Sequence, residues 1–232
     1  KRIMRPRDLF LNAALAAIAW TPSLSQSNSP STPRFGIIGG ANLAKLIGYG
    51  SSNRIGFAGG LMAVLPVSPS FAIQPELMFT RKGATSKLFL TSATSKIDYI
   101  ELPVLARFEI PAFGRVKPFA YGGPGFAYRT SCTLGAVYGE AVVQNGVPSY
   151  SERAIFTDCD SLASPVAGLP GIKVSSTDVD GIIGAGLAFD VGGRTMTVGV
   201  RYDVGFVKLF SDGDSKNRAL SFMGTIEWPF HK

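Results

Sequence analysis

The chain is poor in charge, in cysteine and in histidine, and each shortage removes a class of protein. Charged residues are 17% of its 232 residues, against about 25% in soluble domains. Histidine occurs once, as His231. A histidine-based metal centre or a Ser–His pair in the barrel wall is therefore not expected, and no serine stands in a Gly-x-Ser-x-Gly setting. The two cysteines, Cys132 and Cys159, form neither a Cys-x-x-Cys redox motif nor a metal-ligand set. No run approaches 18 consecutive apolar residues, so a membrane-spanning helix is not expected. The Gly-rich stretch FAYGGPGFA lacks the lysine and the strand–loop–helix setting of a phosphate loop. We expect no catalytic residues, no cofactor and no metal.

What is present is alternation. From Arg194 to Phe230, Met196, Val198, Val200, Tyr202, Val204 and Phe206 alternate with Thr197, Gly199, Arg201, Asp203 and Gly205. Leu220, Phe222, Ile226 and Trp228 then alternate with Ala219, Ser221, Thr225 and Glu227. A period of two marks strands. Each segment is about ten residues, the length a tilted strand needs to cross a bilayer. One face is greasy, while the other is small, polar and charged.

The same pattern predicts earlier strands over 34–43, 54–65, 71–83, 96–108, 116–128 and 179–191, then 194–206 and 217–230. Ile55, Phe57, Leu61 and Leu65 face one way on the second. Ile100, Leu102, Val104, Ala106 and Phe108 share a face on the fourth, opposite Glu101, Pro103 and Arg107. The fifth is blurred by Gly122, Gly123, Pro124 and Gly125, and its faces stay unassigned. Short connections near 66–70, 110–115 and 192–193 alternate with longer ones near 45–53, 84–95, 130–177 and 207–216. An even strand number with that alternation predicts an all-β fold: an eight-stranded antiparallel transmembrane up-and-down barrel.

The N-terminus reads as a secretory signal over 1–25: a basic head (Lys1, Arg2, Arg5, Arg7), an apolar core from Leu9 to Trp20, and small residues at Ser23 and Ser25. Its removal takes away four basic side chains and one acid, leaving about +4 of the formal +7. No basic patch remains for a nucleic-acid partner. Residues 26–33 are a flexible, Ser/Pro-rich lead-in, and 34–232 are the barrel domain.

Several stretches are similar to a known family: GIIGGANLAK (36–45), FAIQPELMFTRKG (71–83), YIELPVLARF (99–108), KPFAYGGPGFAY (117–128), RYDVGFVKL (201–209) and KNRALSFMGTIEWPF (216–230). They resemble the small outer-membrane β-barrel domain proteins of Gram-negative bacteria labelled porin family, the OmpA/OmpX-like barrels. Gln74-Pro75-Glu76 matches a QPE element, Tyr99, Glu101 and Pro103 a Y-x-E-x-P element, and Arg201-Tyr202 an RY element followed by Gly205. The resemblance implies an outer-membrane barrel and assigns no activity. It departs at the end, where His231 and Lys232 follow the aromatic Phe230.

The strand charges fall on the inward parity: Glu76, Glu101, Arg107, Asp180, Asp190, Arg201, Asp203 and Glu227. Eight strands enclose a space about filled by side chains, so these charges must be paired or wetted. A salt-bridge network plugging the lumen is the leading expectation, and a gate or narrow ion path lined by the same residues is the alternative. Glu76 with Glu101 as a catalytic carboxylate pair is the least favoured. Cys132 and Cys159 are expected to form a disulfide, with two free thiols as the alternative. Three functions stay open: a structural or surface-contact barrel whose 130–177 loop meets a ligand or protein outside the cell, a narrow passive channel, and a soluble lipocalin-like carrier. The expected surroundings are outer-membrane lipid, with the protein as a monomer.

Overall fold

The computed structural model describes residues 32–47, 53–88, 91–110, 116–144, 147–159, 161, 174–209 and 216–230. The signal segment, most of the lead-in, part of the 130–177 segment and the terminal His231 and Lys232 lie outside the described residues. The strands are β1 (Arg34–Ile47), β2 (Arg54–Ser68), β3 (Phe71–Leu88), β4 (Thr91–Glu109), β5 (Val116–Gln144), β6 (Val147–Asp158), β7 (Thr177–Val191), β8 (Arg194–Gly205) and β9 (Lys216–Pro229).

Eight of them close a barrel. Each pairs antiparallel with its neighbours in the order β4-β3-β2-β1-β9-β8-β7-β5, and β4 pairs with β5 to complete the ring. The seam between the first and last strands runs from Arg34↔Pro229 to Ile47↔Lys216. The two-residue turn at Gly192 and Gly193 works because both adopt positive φ (58° and 75°), the requirement of a tight hairpin turn whose twist matches its strands.

Burial follows the alternation. Ile55 is 76% exposed, and Leu61, Val198 and Ile183 likewise face out, whereas Met62, Met78, Ala188 and Met223 point in. Aromatic rings gather at both edges of the apolar band. At the end with the short turns, Phe35 stacks on Trp228 at 5.8 Å and Phe71 meets Phe108 at 5.1 Å. Toward the other end Phe57 lies 5.8 Å from Phe79. An outward apolar band between aromatic girdles is the form that lipid selects. A lipocalin-like carrier has the opposite arrangement.

Three expectations need correction. The Ser/Thr/Lys-rich segment 84–95 is not mainly a loop: β3 and β4 continue through it as a ladder from Gly83↔Lys96 to Leu88↔Thr91. Much of 130–177 is also strand. β5 runs on to Gln144 and pairs with β6 from Thr133↔Asp158 to Gln144↔Val147. These parts escaped the alternation test because, beyond the membrane band, neither face has to be apolar. The strand at 179–191 is thus the seventh in the chain and the sixth stave of the barrel. On β5 the facing is now assigned: Phe119, Gly125 and Ala127 are buried, while Pro124, Phe126 and Tyr128 are exposed. A Cβ at Gly123 would sit 2.2 Å from the Val104 carbonyl, so close backbone approach accounts for a glycine there.

Candidate functional site

The lumen holds two polar clusters, one above the other. Inward parity places Gln74 and Glu76 on β3, Arg107 on β4, Arg201 and Asp203 on β8, and Thr225 and Glu227 on β9, all buried. Beginning near the short-turn end, Arg34 pairs with Glu109 and reaches Glu227 at 2.8 Å. Arg107 lies 3.1 Å from Glu227 and 3.0 Å from Glu109, and donates to Gln74 Oε1 at 3.0 Å. Gln74 donates to Glu76 at 2.7 Å. Glu76 Oε2 accepts from Arg201 Nη1 at 2.6 Å, and Arg201 Nε donates to Asp203 at 2.9 Å. The Arg107 guanidinium also rests on the Phe119 ring, 4.2 Å from its centre. Here Arg201 meets Glu76 and Asp203, two of the acids on the inward parity.

The second cluster lies farther from the short turns. Lys82 Nζ sits 2.7 Å from Glu101 and 3.4 Å from Asp180, beneath the ring of Tyr99 at 5.7 Å. Asn217 donates to the Tyr99 hydroxyl at 3.2 Å and to Asp178 at 3.1 Å. Above it the filling turns apolar: Ala84, Ile97, Ala127, Cys132, Cys159 and Leu209 pack together, with Leu134 and Val174 against them. Cys132 and Cys159 are linked, their Cα atoms 5.4 Å apart, and each is 1% exposed. Leu209 is held there by its carbonyl, which accepts from the Ser175 N–H at 2.8 Å.

Asp190 stands apart from the other inward-parity charges. It lies beside the Gly192–Gly193 turn, half exposed, paired with Lys117 at 2.7 Å and accepting from Thr195 at 3.0 Å. Arg34, Lys82, Glu109, Asp178 and Asn217 were not singled out from the sequence. The β3 alternation that selects Glu76 continues through Thr80 to Lys82 and could have found it.

A cavity of about 10 Å³ lies among Gln74, Arg107, Phe119, Tyr121 and Thr197, room for about one water molecule. Among the described residues no three His, Cys, Asp or Glu side chains are placed to hold a metal ion.

Among the described residues β6 pairs on one side only, with β5, where the sheet order ends. On it Ile155 is 52% and Phe156 70% exposed.

Solved structures of similar proteins are small outer-membrane barrels. Neisserial surface protein A is 12% identical, with 84% of this chain and 97% of that one covered, at a TM-score of 0.47. OprG from Pseudomonas aeruginosa is 11% identical over 89% and 100%, at 0.45. Ail of Yersinia pestis is 14% identical over 85% and 100%, at 0.42. No curated protein matches the chain. At these scores the strand pairing, not the likeness, carries the description of the fold. Residues 24–211 match the family model of the outer membrane protein β-barrel domain, and with the lipid-adapted outer surface this places the protein in the outer membrane: the chain belongs to the outer membrane protein β-barrel domain family.

Proposed function

We propose that the protein is a non-enzymatic, closed-lumen barrel that anchors a contact surface for a ligand or protein outside the cell. The filled lumen is the observation that carries this reading. Arg107, Glu227, Arg201, Glu76 and Lys82 are all buried, each with an opposite charge within 3.4 Å, and the cavity beside Gln74, Arg107 and Thr197 holds about 10 Å³. Eight strands give a width that side chains can fill, and paired charges make a stable plug where unpaired ones would be costly. The charge network is therefore read as structural. With the short turns toward the periplasm, the β5–β6 hairpin stands outside the cell. Its β6 carries exposed Ile155 and Phe156 on a strand that, among the described residues, pairs on one side only, which supports its role as the contact surface. The single histidine, His231, supports the non-enzymatic reading.

The test is conductance. Purified protein in a planar lipid bilayer is expected to add no unitary steps above leak. Reproducible steps that vanish when Arg201 or Lys82 is replaced would replace this reading with that of a narrow channel.

A further inference from the structure

Cys132 and Cys159 stand directly across the β5–β6 hairpin from each other. The ladder ends at Thr133↔Asp158, and the two cysteines occupy the next position below it. Their Cα atoms are 5.4 Å apart, within the range of facing residues in an antiparallel pair. The rungs that align the sulfurs therefore all lie within 132–159. At the other end, the Gln144↔Val147 rung leaves Asn145 and Gly146 between its residues, the pair that a two-residue hairpin turn favours. Such a hairpin forms quickly but is marginal alone in water. A covalent link at its base holds it.

The burial of the sulfurs has a different origin. Their cover comes from elsewhere in the chain. Ala84 belongs to β3, Ile97 and Tyr99 to β4, and Leu209 lies beyond the end of β8. Val174, ahead of β7, packs against the same cluster, and the Ser175 N–H donates to the Leu209 carbonyl. Leu209 reaches the sulfurs only after β7 has paired with β5 and β8 with β7. That part of the chain follows Cys159 in sequence.

Alignment and burial are thus separate events. The hairpin alone brings the thiols together, and the closing ring covers them. In the closed barrel both sulfurs are buried, whereas thiol–disulfide exchange needs an attacking thiolate that can reach its target sulfur. The exchange that makes this link has its opening before the ring is complete.

We infer that the unclosed β5–β6 hairpin is the substrate of a periplasmic dithiol–disulfide oxidant, and that Cys132 and Cys159 are joined before β7 and β8 dock. One cysteine thiolate attacks the oxidant's disulfide, forming a mixed disulfide and releasing one oxidant thiolate. The second cysteine thiolate attacks the cysteine sulfur of that mixed disulfide. It forms the Cys132–Cys159 bond and releases the oxidant's other thiolate. The two electrons leave with the oxidant, now a dithiol that has taken up the two thiol protons. Closure then seals the product. A chain that closes reduced seals two thiols instead, so the order of the two steps decides which form reaches the membrane.

The test starts from the chain reduced and unfolded in urea, with oxidised glutathione as the disulfide. In one arm glutathione is added before dilution into lipid vesicles. In the other the reduced chain folds into vesicles first and glutathione follows. The gel shift on boiling reports closure, and mass after thiol alkylation in denaturant reports the link. The unfolded chain is expected to be linked at least about a hundred-fold faster than the closed barrel, where exchange waits on opening of the core. Equal rates would overturn the order. A reduced chain that closes only once glutathione arrives would support it, because oxidation then precedes closure there too. Leu209→Ala thins the cover without touching the hairpin. It is expected to speed linkage of the closed reduced barrel and leave the unfolded chain unchanged, and no change in the closed barrel would overturn the role of the cover. In cells without periplasmic disulfide oxidase activity, the membrane-inserted protein is expected to carry two thiols that survive glutathione added to the medium. Fully linked protein in those cells would overturn the need for the oxidant.

Discussion

Arg201 and Glu76 lie 125 residues apart in sequence and meet in the lumen with Nη1 2.6 Å from Oε2. Both are buried, and Asp203 flanks the arginine at 2.9 Å. Replacing Arg201 with Met strands two buried acids. We expect a loss of about 3–5 kcal/mol, the scale for breaking a buried ion pair from one side. Urea unfolding in lipid vesicles measures it, and a loss below about 0.5 kcal/mol would mean that the lumen is well wetted. The pair replacement Arg201→Met/Glu76→Met should be less harmful than either single change predicts, because it removes both sides of the contact.

The outward face makes a prediction that separates lipid from water as the surrounding medium. Leu61 is 60% exposed and faces Ile37 across β1 and β2. Leu61→Arg is expected to cost about 2–4 kcal/mol in a bilayer, the penalty for a charge near the middle of a barrel's lipid face. Folding into vesicles followed by denaturant titration reads it. On a water-facing surface the same substitution would be close to neutral.

The cross-link supports a third prediction. Because Cys132 and Cys159 are buried among Ile97, Tyr99 and Leu209, mild reductant should leave the folded protein oxidised, with both thiols labelled only after unfolding. Replacing both cysteines with serine is expected to lower stability by about 3 kcal/mol, from the loop entropy released across a separation of 27 residues. Rapid labelling of the folded protein would contradict the buried placement.

A fourth concerns the independence of hairpin and barrel. Beyond the Thr91↔Tyr138 rung, β4 no longer accompanies β5. Deleting 139–152 and joining Tyr138 to Arg153, which face each other, through Asn-Gly should leave an intact barrel, since that dipeptide suits a two-residue turn. The shortened protein should still migrate differently on gels before and after boiling. Loss of that difference would mean that the hairpin is needed for closure.

How much of this was legible in the sequence depends on which force acts on each residue. Inside the membrane band lipid enforces alternation, so Ile55, Leu61, Val198 and Phe222 disclosed their facing and the barrel followed. Beyond the band that pressure ends. The strand character of Ser86, Thr91, Val137 and Thr157 was hidden for that reason, and the 130–177 segment read as a loop. Parity tells which face a charge takes but not its height, so Asp190 shares the parity of Asp180 yet lies at a rim with Lys117. Glu76, Asp203 and Arg201 could be grouped as candidates, whereas their actual pairing depends on how far neighbouring strands are staggered. Arg34 was overlooked because it is the first residue of its strand, where the alternation is shortest.

The length of β5 has a mechanical meaning. The same unbroken strand is a stave of the barrel at one end and half of the projecting hairpin at the other. A load applied at the hairpin tip therefore enters the barrel along the strand axis. It is resisted in shear by the ladders to β4 and β7, whose hydrogen bonds are strained together rather than opened one after another. The Cys132–Cys159 link lies where β6 leaves β5, so tension on β6 passes into the same stave instead of peeling the hairpin apart. The projection is coupled to its anchor as a rigid lever, and its grip is set by the barrel wall.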